Sequence, residues 1–78
     1  MTAYIVTYVD WTYDDDNELI LGYYCNYCRV KHAIMKHAFK YMSFSAMRAI
    51  IPETMIDNYM RIIMDEKHDY IIEEINIE

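Results

Sequence analysis

Residues 19–42, LILGYYCNYCRVKHAIMKHAFKYM, decide how the rest of the chain is read. Leu19, Ile20, Leu21, Tyr23 and Tyr24 are residues that suit a pleated surface, so 18–25 is expected as a strand. From Arg29 the spacing changes. Val30, Ile34, Ala38 and Tyr41 recur at helical intervals, with Met35, Phe39 and Met42 widening the expected buried face of a helix over 29–41. The same segment carries a second regularity: Arg29, His32, Lys36 and Lys40 stand three, four and four residues apart and form one basic ridge opposite the apolar face. A solvated helix face is the ordinary meaning of such a ridge.

On the N-terminal side, residues 3–11 alternate as a strand does. Tyr4, Val6 and Tyr8 share one side, and Ala3, Ile5, Thr7, Val9 and Trp11 share the other. Both sides are apolar, which implies a central strand or one with an exposed aromatic face. Asp14, Asp15, Asp16 and Asn17 form a polar turn, so a hairpin joins the two strands. Gly22 marks a bulge or a close backbone approach. On the C-terminal side, Ser43 or Ser45 caps a short helix over 46–51. Pro52 fits the first turn of another helix, with Met55, Ile56, Tyr59, Ile62 and Ile63 inward and Asp57, Arg61 and Asp65 as a solvated ladder. Lys67 and His68 fall where the C-terminus of that helix favours positive charge. Residues 70–77 close the chain as an edge strand on which Glu73 and Glu74 discourage unwanted pairing. The expected class is α+β: a small three-stranded antiparallel sheet with two or three helices on one face, in the order ββααβ, as one domain spanning 1–78.

Seventy-eight residues bury a modest core, so docking on a partner or forming a homo-oligomer is a sensible source of added buried area. One Gly and one Pro leave few breaks, and nine Tyr with seven Met supply side chains that serve cores and protein-binding surfaces alike. Charge is segregated. Residues 1–28 hold five acids and no Lys or Arg; residues 29–48 hold five bases and no acid; residues 49–78 hold eight acids and two bases, for a net charge of −6. A protein that wraps a phosphate backbone needs the opposite sign, so direct nucleic-acid binding is not expected. The sign suits attraction to a basic partner, including a protein that itself holds nucleic acid. With no secretory leader pattern and no run approaching the ~20 apolar residues of a membrane span, a cytoplasmic home and reduced thiols are expected.

Cys25-Asn26-Tyr27-Cys28, with His32 and His37 beyond, is the strongest chemical motif. A CxxC turn presents two thiolates closely, as zinc sites require. Three residues between Cys28 and His32 are too few for a Cys2His2 finger, and on one helix His32 and His37 diverge by ~140°. No metal is expected. The turn also resembles the active site of thioredoxin- and glutaredoxin-like proteins. That resemblance implies an attacking Cys25 and a resolving Cys28. The hairpin before the motif and the missing strand after Pro52 depart from that family's pattern. One glycine builds neither a nucleophile elbow nor a phosphate loop, so no catalytic residue and no cofactor are assigned. The alternatives to a binding protein are this metal or thiol module and a single-stranded nucleic-acid binder using the basic helix with Tyr23, Tyr24 or Tyr27.

The composition is similar in type to phage-encoded host-takeover and anti-defence proteins. The function expected is therefore that of a small acidic non-catalytic protein that binds a macromolecular partner, a basic or nucleic-acid-binding protein that it inhibits by mimicry. Trp11, Tyr13, Asp14, Asp15, Asp16 and Glu18 are the expected contacts, because they join charge steering to aromatic anchors in one turn and its flank.

Overall fold

The first and last strands pair with each other along their whole length. The computed structural model describes residues 1–12 and 17–77. Strand β1 (Thr2–Asp10) lies antiparallel to β4 (His68–Asn76), in register from Thr2 opposite Asn76 to Asp10 opposite His68. Strand β2 (Asn17–Tyr24) pairs with the other side of β1, and β3 (Tyr59–Ile63) with the other side of β4. The result is a four-stranded antiparallel sheet in the order β2-β1-β4-β3, with helices α1 (Tyr27–Ala38) and α2 (Phe44–Ile50) between the two hairpins.

This corrects the three-stranded, ββααβ expectation in two places. The third helix expected after Pro52 is strand β3. Its apolar residues satisfy both periods, and in the fold Met60, Ile62 and Met64 point inward while Tyr59, Arg61 and Ile63 point out. A short apolar run rich in Ile fits a pleated surface at least as well as a helix, and pairing with β4 decides it. Consequently Asp57, Arg61 and Asp65 form no helical ladder; Lys67 sits in the β3–β4 turn and His68 opens β4, and the Asp65 carboxylate accepts both their backbone N–H groups. The second correction is that β4 is central. Glu73 and Glu74 are exposed although the strand that carries them is paired on both sides.

Helix α1 starts at Asn26, whose side chain accepts the Arg29 N–H at 2.9 Å, and buries Val30, Ile34 and Ala38 on the sheet. Ser43 caps α2 by accepting the Ala46 N–H, and Met47 turns inward. These side chains meet Val6, Met60, Ile62, Tyr70 and Ile72 in one core. The connection after α2 is tied to α1 by Tyr27 Oη donating to the Pro52 carbonyl at 2.8 Å and by Lys31 paired with Glu53 at 2.9 Å. Phe39, expected to widen the buried face of α1, instead closes the helix as its C-cap and is 68% exposed. Both helices are too short to cross a membrane as α-helices.

Ile34, with no exposed surface, and Phe39 make a discriminating pair. Ile34→Ala is expected to lower unfolding free energy by about 2–5 kcal/mol through lost burial and a residual cavity, and Phe39→Ala by less than about 0.5 kcal/mol. Urea denaturation of the two variants checks both.

Candidate interaction face

An antiparallel sheet covered on one side normally shows water a polar face on the other. This one does not. The registers place three rungs on the uncovered face: Tyr23, Ile5, Glu73 and Tyr59; Ile20, Thr7, Ile71 and Arg61; Glu18, Val9, Asp69 and Ile63. Tyr23, Ile63, Tyr59 and Ile20 lie between 54% and 65% exposed, although each is a large apolar side chain. Tyr23 joins this face because β2 carries a bulge at Leu21, between the pairs Val6–Gly22 and Thr7–Ile20. Strict alternation puts Leu19 and Tyr23 on one side. The extra residue separates them, so Leu19 falls opposite Tyr8 on the covered side and Tyr23 opposite Ile5 on the open side. Gly22 sits at the same irregularity, where a Cβ would come within 2.9 Å of the Tyr24 hydroxyl.

One end of the face is locked by charge. Asp69 is nearly fully buried and accepts from Arg61 Nε at 2.9 Å and from the Trp11 indole N–H at 3.0 Å. The Arg61 guanidinium lies 5.6 Å from the Trp11 ring centroid. Trp11 is thereby held at the sheet end by its bond to Asp69 and by the Arg61 guanidinium beside its ring.

Of the expected contact residues, Trp11 and Glu18 come together at this end of the open face. Tyr13, Asp14, Asp15 and Asp16 lie outside the described residues. Several of the described acids are bonded within the chain. Asp69 serves Arg61, Glu53 serves Lys31, Asp65 serves His68, and Asp10 accepts from the Thr12 backbone N–H at 2.8 Å and from its hydroxyl, which holds the Asp10 carboxyl below its ordinary pKa. Ile20, Tyr23, Tyr59 and Ile63 were not among the expected contacts. The available signal was the apolar character of both sides of residues 3–11.

The covered side holds a polar cluster at the far end of α1. Tyr70 is fully buried; its hydroxyl accepts from Tyr41 Oη at 2.8 Å and lies 2.6 Å from His37 Nδ1. With the Tyr41 hydroxyl donating to it, the Tyr70 hydroxyl donates to His37 Nδ1, an arrangement that fits a neutral imidazole with its proton on Nε2. Burial, then Lys40 and His68, holds the His37 pKa below its ordinary value, and burial pushes Tyr41 up to about 12. The ring of Tyr41 stacks on His68 at 3.7 Å, while Tyr8 packs 4.4 Å from His37. Cys25 and Cys28 are exposed free thiols, and among the described residues no group of three His, Cys, Asp or Glu side chains is placed to hold a metal ion.

No family model matches the chain, and no curated protein sequence or solved structure is significantly similar to it.

Because the folded state opposes protonation of His37, the stability that its neutral form secures is full above the ordinary pKa of 6.5 and is lost as pH falls from there through the folded value. A ring-proton NMR titration is expected to place the His37 midpoint below 6.5, and Lys40→Gln to move it part of the way back, burial being the larger cause.

Proposed function

We propose that this chain is a non-catalytic cytoplasmic binding protein that docks its open sheet face on another protein, one whose contact patch is apolar at the centre and basic around it. The observation that carries this reading is a sheet face that stays apolar and aromatic with no helix or strand of the described residues over it. Large contiguous apolar surface is retained on a small protein when something else covers it. Tyr23, Tyr59 and Trp11 suit that role, since an aromatic ring fills a pocket with little loss of side-chain freedom.

Charge selects the kind of partner. The face carries Glu18, Asp69 and Glu73 against Arg61, and the whole chain carries −6. Such a field speeds encounter with a cationic surface and disfavours a second copy of the same face. Proteins that hold nucleic acid present cationic surfaces of this kind, and occupying one of them would inhibit it. The exposed side chains on offer are chiefly apolar with acids beside them, so the partner is engaged by burial of aromatics, with the carboxylates steering.

Affinity capture followed by titration of the purified partner tests this. Replacing Ile20 and Ile63 together by Ser removes outward side chains without touching the core, and is expected to weaken binding by about tenfold or more with little change in unfolding midpoint. Glu18→Gln with Glu73→Gln is expected to slow association and flatten its salt dependence. A partner with an acidic contact surface, affinity indifferent to both variants, or self-association as the only binding detected would each overturn the proposal.

A further inference from the structure

On the opposite side of the molecule from the open face, a cleft of about 810 Å³ runs between the end of β2 and α1. It is cationic in an anionic protein. Arg29, Lys36 and Lys40, three of the seven Lys and Arg, line it together with His32 and His37, and no carboxylate is among its lining residues. The neighbouring Lys31 is paired with Glu53, whereas Arg29, Lys36 and Lys40 form no ion pair among the described residues. Helix α1 itself contains no acidic residue to interleave with them at the four-residue spacing that usually neutralises such a ridge.

The inner wall adds a directed donor. With Nδ1 occupied by Tyr70, His37 carries its proton on Nε2, and that nitrogen has no protein partner and is not a buried orphan among the described residues. It therefore opens to solvent where His37 borders the cleft. Leu21 and Tyr24 form an apolar wall across from the cations, Tyr24 lying over Gly22. Arg29 to Ala38 covers nine helical steps, or ~14 Å of ridge, with Lys40 in the turn just past the helix end. Three unpaired cations, a neutral N–H donor and an aromatic wall are what a phosphate chain attached to a flat ring would meet.

We infer that this cleft binds a nucleoside di- or triphosphate, with Arg29, Lys36 and Lys40 on the phosphates and the Tyr24 side against the base. A single phosphate leaves most of the ridge and the apolar wall unused. A nucleic-acid strand follows the ridge for ~14 Å and then must cross a molecule whose net charge repels it. A nucleotide-sized ligand fits within the cationic stretch.

Amide-NMR titration of the intact chain with ATP, inorganic phosphate and a short single-stranded DNA tests the assignment. ATP is expected to saturate, shifting α1 amides and Tyr24, and to bind more tightly than either other ligand. Lys36→Gln with Lys40→Gln, both at exposed positions, is expected to weaken ATP binding about tenfold, while Lys67→Gln in the β3–β4 turn leaves it unchanged. A second readout needs no change to the cations: in Cys25→Ser protein, ATP slows alkylation of Cys28, which lines the cleft. Absence of saturation, an unchanged affinity in the double variant, an unchanged alkylation rate, or tighter binding of the DNA strand overturns the inference.

Discussion

The antiparallel ladder between β1 and β4 is the constraint from which the rest follows. It joins the two ends of the chain and makes both strands central, so their side chains are committed to one face or the other along the full length. Two helices supply cover for one face only. Each residue of the ladder that points away from them is left for solvent or for a partner, and this chain places Ile5, Val9, Ile71 and Ile75 there. Val9 is nevertheless buried, shielded within a rung whose neighbours are Glu18 and Asp69.

Much of the covered side could be read directly from residue order. The periodicity of Val30, Ile34 and Ala38, the alternation of β1 and the Ser43 cap are local signals, and the observed elements carry them. Residues 59–63 were misread because Tyr59, Ile62 and Ile63 match a helical stripe while Met60, Ile62 and Met64 match a strand. Only the unsatisfied edge of β4 chooses between them. The facing of β2 is hidden for another reason. A bulge at Leu21 shifts parity by one residue, and spacing along the chain carries no mark of it beyond the neighbouring Gly22.

The candidate face was less legible than the fold. Trp11 and Glu18 were visible as an aromatic beside an acid, but their company was not. Tyr23, Tyr59 and Ile63 reach the same surface because the β1–β4 register joins two hairpins through residues 58 to 74 positions apart. The basic ridge was fully legible as a spacing, yet its setting was hidden: a ridge becomes a cleft only when β2 stands beside it. His37, taken at first as an outlying metal ligand candidate, is bound to Tyr70 and turns its remaining nitrogen outward. The two surfaces thus differ in chemistry and lie on opposite sides of the sheet, which lets each be altered without the other.

Site-specific photocrosslinking tests the central claim, that the uncovered sheet face is a docking surface, most directly. A benzophenone side chain is placed at Tyr59, on the β3 edge of the exposed apolar surface, and in parallel at Phe39, which is also exposed but belongs to the helical side. Irradiation in cells that naturally express the chain is expected to give one predominant adduct with a basic protein from position 59 and none from position 39. Adducts from position 39 alone, or only chain-to-chain adducts from position 59, would contradict the account.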